Sequence, residues 1–228
     1  MTATRATLRT WLQSLPPPSP GLRREQQLTL AANLMTLVVA AWQQWSLAAL
    51  IWPYWIQSVA IGAFNAHRMQ SLRQFSTEGL KSGNEPVPTT AQGKGCAVAF
   101  FCFHYGFFHL IYLMFLASEL PVGEELRWIL VGSAGLVLAQ AFAHMQQLRI
   151  DRSEVPNLGN LMFLPYLRIL PVHLTILFGM PFALFGPIGG TIALLLFGAL
   201  KTFADHGGIR IEDAVRRSGG SPFRTTSA

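Results

Sequence analysis

Apolar residues in this chain come in six long runs, with the polar residues gathered between them. The runs cover about 28–44, 47–66, 95–118, 127–147, 164–185 and 188–206. A helix needs roughly 20 apolar residues to cross a bilayer, so each run is read as one membrane-spanning helix. The first and last are slightly short, which tilted partners or a locally thinned bilayer accommodate. Gln44-Trp45-Ser46 makes a tight turn between the first two runs, and Gly186-Pro187 breaks the last two, so both pairs are helical hairpins. The expected fold is all-α, a polytopic membrane protein. A bundle of six transmembrane helices occupies 28–206, with an N-terminal tail over 1–27 and a C-terminal tail over 207–228. No internal repeat stands out.

Composition strengthens this picture. Of 228 residues, 51% are hydrophobic and 12% charged, against roughly 25% charged in soluble domains. So few charges cannot coat a soluble globule of this size, and a disordered chain or an ordinary soluble enzyme is excluded. The net charge of +6 reflects topology and not nucleic-acid binding. With the N-terminus in the cytoplasm, the inner loops are 1–27, 67–94, 148–163 and 207–228. Only Arg127 of the 17 Lys and Arg residues then falls at an outer end, and Glu119, Glu124 and Glu125 lie outside. This is the positive-inside pattern, and it puts both termini in the cytoplasm. The first 27 residues carry four prolines and no signal-peptide pattern. Leu8, Trp11, Leu12 and Leu15 suit a short interfacial helix flanked by arginines.

Ionisable groups inside apolar runs are costly and need a reason to be there. Counting about 1.5 Å per residue, His104 and His173 lie nine residues into their runs, roughly 14 Å from the inner face. His144, Asn65, His67, Lys201, Asp205 and His206 lie toward inner ends, and Arg168 sits one turn into the fifth run. The expectation is one polar cavity opening inward, gathered by the bundle. The blander alternative assigns each residue separately. Lys201 and Asp205, four apart, neutralise one another. Arg168 meets headgroups, and His67 and His206 are interfacial and inert. His109 is about 140° around the helix from His104 and hydrogen-bonds locally with Tyr105 or Tyr112. Cys96 and Cys102 read as small buried hydrophobes, without disulfide or zinc-finger spacing. Phe100, Phe101, Phe103, Phe107 and Phe108 face lipid or pack between helices. Pro53, Pro171 and Pro181 kink their helices, and Gly106, Gly189 and Gly190 allow close backbone approach.

Three imidazoles on three helices, His104, His144 and His173, with Asp205 as a carboxylate, would make a transition-metal site. There is no HExxH and no Glu-x-x-His pair, and without GxSxG or a serine paired with histidine, nucleophilic hydrolysis is unsupported.

Several stretches taken together carry a family resemblance. They are Pro53-Tyr54-Trp55 with Gly62 and Asn65, His104-Tyr105-Gly106, and Ala143-His144. Pro165-Tyr166-Leu167-Arg168-Ile169, His173-Leu174-Thr175-Ile176, and Leu200-Lys201-Thr202 with Asp205 complete them. Over about 28–206 the chain resembles the bacterial membrane family numbered 6498 among the domains of unknown function. The resemblance implies a helical integral protein of the bacterial inner membrane and implies no reaction. In that family an acidic residue often stands where this chain has Gln57, so a mechanism needing a carboxylate on the second run is not expected here. Because the motifs overlap the polar set, they favour a real site. Arg168, Lys201, Asn65, Gln57 and Tyr105 are its candidate substrate-binding residues, and His104, His144, His173 and Asp205 its metal ligands.

Three functions follow from this set. A metal-binding site, catalytic or metal-handling, with a transition metal ion as cofactor, stands slightly ahead. A small-solute or proton transporter or channel, in which histidines relay protons, is the second. A non-catalytic assembly or partner subunit is the third. Whether the protein is an enzyme stays open. The expected partners are the lipid bilayer and a second copy of the chain, without nucleic acid.

Overall fold

The computed structural model describes residues 46–174, positions 38 and 42, and individual positions between 186 and 207 that include the helical stretch 198–204. The rest of the first apolar run, positions 175–185 of the fifth, part of the sixth and the tails 1–27 and 208–228 lie outside the described residues. So do Asp205, His206 and the side chain of Arg168. The described chain is mostly helical. Helix α1 is Leu47–Ser71, α2 is Ala91–Glu119, α3 is Leu126–Ile150 and α4 is Leu158–Leu174. A two-stranded hairpin, β1 at Lys81–Ser82 and β2 at Glu85–Pro86, lies between α1 and α2. It departs from the all-α expectation, and Gly83, at φ 63°, makes its turn.

Local chemistry sets the helix starts. Ser46 accepts from Ala49 N at 3.1 Å and caps α1. Thr90 does the same for α2 through Gly93 N, and Asn157 Oδ1 accepts from Asn160 N at the start of α4. Each satisfies an amide that the first helical turn leaves open. The Asn157 cap overturns one expectation: α4 begins at Leu158 and not near 164. Leu158, Asn160, Leu161 and Met162, read as loop, are buried. The cap is stitched to the segment after α1 by Leu158 N to Ser76 O at 2.8 Å and Ser76 N to Pro156 O at 2.9 Å. Helix α1 likewise runs five residues past its apolar run, to Ser71.

Helix α1 lies at the centre and packs against α2, α3 and α4. Trp52 Nε1 donates to Leu120 O, and Gly62 faces Tyr105, so α1 and α2 are antiparallel. Pro53 meets Gly132 and Arg68 meets Asp151, so α1 and α3 are parallel. Helix α4 runs parallel to α2. One apolar cluster sits at the Trp52 end, around Ile51, Trp52, Leu116 and Ile129. A larger one, around Met69, Phe101, Leu158 and Met162, lies toward the Arg68 end.

The close backbone approach expected at Gly106 is not there, since the space around that glycine is open. It occurs at Gly62, where any Cβ would run into the Tyr105 ring. Cys96 and Cys102 are exposed, not buried, because the stripe that α2 turns to α1 is Ala97, Phe101, Tyr105, His109, Tyr112 and Leu116. Phe100, Phe103 and Phe107 are exposed on the opposite side, while Phe101 is buried.

Among the described residues two helices, α2 and α3, are long and apolar enough to cross a membrane. Only 22% of the apolar window of α2 and 11% of that of α3 is buried. Helix α1 is 25 residues long but carries Gln57, Ser58, Asn65, His67 and Arg68. With three helices around it, α1 can direct this polarity at protein.

Candidate functional site

The polar residues of the four helices form a ladder along the bundle and do not meet at one centre. Its first rung lies at the Arg68 end. Arg68 donates through Nε and an Nη nitrogen to the two carboxylate oxygens of Asp151, at 2.6 and 2.8 Å. Both side chains are about nine-tenths or more buried, so the fork geometry of a guanidinium on a carboxylate joins α1 to the end of α3. Beside it, His67 Nδ1 lies 3.0 Å from His144 Nε2, and the His144 ring stacks on Phe64. One nitrogen of that pair donates and the other accepts, so at least one ring is neutral. His67, expected to be inert, is thus the partner of His144.

The next rungs climb between α1, α2 and α4. Asn65 Nδ2 donates to Leu161 O at 2.8 Å. His104 Nδ1 lies 2.7 Å from Tyr166 Oη. Tyr105 Oη donates to Ser58 O at 2.7 Å, and its ring stacks on His109 at 4.3 Å between centroids. His109 Nδ1 donates to Tyr105 O at 2.9 Å, and its Nε2 meets Ser58 Oγ at 2.9 Å. The local bond expected for His109 with Tyr105 is therefore present. Tyr112 Oη and His173 Nδ1 are 2.6 Å apart. The order His104–Tyr166, then Tyr112–His173, is what makes α2 and α4 parallel.

Among the described residues the expected metal centre finds no support. Each of His104, His144 and His173 is held by a different partner at a different rung. Among the described residues no three His, Cys, Asp or Glu side chains group as metal ligands. The reason is rotational. His104 and His173 face Tyr166 and Tyr112 across the α2–α4 contact, whereas His144 points across the α1–α3 contact.

Lys201 also departs from its expected place. Its Nζ lies 5.1 Å from the centroid of the Tyr54 ring, within cation–π range. Tyr54 is 14 residues before Arg68 on α1, roughly 21 Å at the helical rise. Lys201 therefore belongs to the Trp52 end, far from His144. Gln57 is half-buried on α1 and makes no hydrogen bond among the described residues. Tyr105 is buried with its hydroxyl engaged, which makes it a clamp between α1 and α2.

Two cavities adjoin Arg68. A small one, about 50 Å³, is lined by Asn65, Arg68, Gln140 and Gln147 between α1, α3 and α4. An open groove of about 660 Å³ lies between the ends of α1 and α3 and is lined by His67, Arg68, Asp151 and Arg152. Sequence reasoning missed Arg68, Asp151, Gln140, Gln147 and Tyr166 as parts of this region. Arg68 and Asp151 fell in stretches read as loop, and a charge in a loop looks solvated until a partner is seen. Tyr166 stands out in the sequence only as part of Pro165-Tyr166-Leu167-Arg168-Ile169.

Neither a curated protein nor a solved structure matches the chain. The model of a family of unknown function, DUF6498, matches residues 15–220, wider at both ends than the motifs read above, and the chain belongs to that family.

Proposed function

We propose that the protein is an integral membrane protein of six spans over 28–206, with both termini cytoplasmic, that moves protons or a small polar solute through its helix bundle. The membrane part is supported by the outward faces of α2 and α3. A core helix of a soluble protein buries its apolar face. Here Phe103, Phe107, Leu110 and Met114 on α2, and Leu130, Val131, Leu138 and Phe142 on α3, are exposed. Lipid is the solvent that tolerates such surfaces. The orientation rests on the Lys and Arg of the loops, which apart from Arg127 lie on one side; Lys201, within its run, lies against Tyr54 toward the other end. Topology is tested in a background lacking Cys96 and Cys102. Ser82→Cys should resist a membrane-impermeant thiol reagent applied to intact cells, and Gly123→Cys should react. The reverse pattern inverts the orientation.

The transport part is carried by one observation, the ladder of imidazoles. His67 with His144, His104 with Tyr166, His109 with Ser58, and His173 with Tyr112 sit at successive depths. Each imidazole faces a group able to accept or return a proton, as intramembrane relays require. His109 is central and buried, so His109→Phe should lower proton flux into proteoliposomes by about a hundredfold or more, the low end of the range for losing a proton-transfer group. Flux that His109, His104 and His173 substitutions leave unchanged rejects transport.

A second reading, an assembly subunit, is favoured by a specific feature: every rung also bridges two helices or two turns of one helix. On that reading the same substitutions lower stability and the wild-type protein carries no flux.

A further inference from the structure

The groove at the Arg68 end is open and polar and adjoins the first rung of the ladder, whose His67, Arg68 and Asp151 form part of its lining. Its charged lining is His67, Arg68, Arg73, Asp151, Arg152 and Glu154. Several of these charges are already engaged. Arg68 and Asp151 hold each other through two hydrogen bonds, so that carboxylate does not compete for other cations. Two helices end at this groove, and helix C-termini normally draw cations to their open carbonyls. Those carbonyls have other donors here. Lys94 Nζ donates to Gln70 O at 2.9 Å and Leu72 O at 2.8 Å, closing α1. At the end of α3, Asp151 N donates to Gln147 O and Arg152 N to Arg149 O, while Ser153 N and Oγ both donate to Ile150 O.

Arg73 and Arg152 are therefore recruited neither to a carboxylate nor to a helix end. Both are exposed, and among the described residues neither makes an ion pair. Each presents a rigid fork of donors that matches two oxygens of a phosphate. The hydroxyl of Ser71, also in the lining, lies 3.5 Å from His67 Nε2 and is therefore already partnered. Glu154 lines the groove as well and makes no ion pair among the described residues. It opposes an anion and weakens its binding.

We propose that this groove binds a phosphate group, held by Arg73 and Arg152 and opposed by Glu154. The ligand is either the headgroup of an anionic phospholipid or a free phosphate. The lipid source rests on the topology proposed above, which puts this end at the cytoplasmic headgroup level; the phosphate chemistry itself does not.

The full chain, purified in neutral detergent, is titrated with inorganic phosphate by calorimetry and, separately, with phosphatidic acid followed by native mass spectrometry. Phosphatidic acid adducts that inorganic phosphate does not displace assign the lipid. Binding of inorganic phosphate with mutual displacement assigns the free anion. In either case Arg73→Gln with Arg152→Gln should weaken binding about tenfold or more, the effect of losing roughly 1.4 kcal/mol. Glu154→Gln should tighten it, a readout that stays available if the double variant folds poorly. Absence of both ligands, or affinities that ignore all three substitutions, overturns the proposal. Thiol labelling that reverses the topology removes the lipid source and leaves the phosphate result standing.

Discussion

The two ends of α1 are held in opposite ways. At the Trp52 end, Ile51, Trp52, Leu116 and Ile129 pack together, and the indole of Trp52 donates to Leu120 O at 2.8 Å. At the Arg68 end, a buried ion pair and an imidazole pair join α1 to α3, and loop amides stitch the chain to the start of α4. On the membrane reading proposed above, burying leucine gains little, because lipid tails are equally apolar. The Trp52 end must therefore rely on fit, and the Arg68 end on directed polar contacts. One helix meets both demands because its polarity is graded along its length.

Removing one partner of the ion pair should give the largest effect. Arg68→Ala leaves Asp151 buried and alone, so unfolding in mixed micelles should show a loss of about 3–5 kcal/mol. Arg68→Met with Asp151→Leu should cost far less, because no charge is left uncompensated. If Arg68→Ala costs no more than a surface substitution, the contrast between the ends collapses. At the other end, Ile51→Ala should cost about 2 kcal/mol, the low end of the range for such truncations, because on the membrane reading lipid replaces water as the alternative solvent. The same unfolding measurement checks it, and a loss equal to that of Arg68→Ala would make the two ends alike.

Between the ends, Gly62→Ala forces a methyl group into the Tyr105 ring and should destabilise by about 1–2 kcal/mol, as overpacking does. Adding Tyr105→Ala should make the pair less costly than the sum of the singles, which a double-mutant cycle reads directly. The smallest effect is expected for Tyr112→Phe. It removes the hydroxyl facing His173 and should cost about 0.6 kcal/mol, the average for hydrogen bonds between membrane helices. A much larger loss, or a loss of proton flux without a loss of stability, would separate the ladder's function from its structural share.

Much of the scaffold was legible from residue order. The apolar runs at 95–118 and 127–147 lie within α2 and α3, and Ser46 marks the boundary ahead of α1. The run at 164–185 was less informative, because Leu158, Leu161 and Met162 alternate with Gly159 and Asn160, and Asn157 was not recognised as a cap. The site was less legible still. His104, His144 and His173 share a residue type and similar depths, which suggested convergence. Depth along a helix says nothing of the direction around it.

What the sequence determined by itself is which stretches are apolar and how long they are, as α2 and α3 bear out. Those properties add up residue by residue along the chain. Only the tertiary structure decided that His144 meets His67 from 77 residues away, that Arg68 closes on Asp151, and that Lys201 lies against Tyr54. Each of those pairings depends on how one helix is rotated against another, and that rotation is settled by packing over whole faces: Gly62 under the Tyr105 ring and Pro53 against Gly132 turn α1 toward its partners, and no single residue encodes the result.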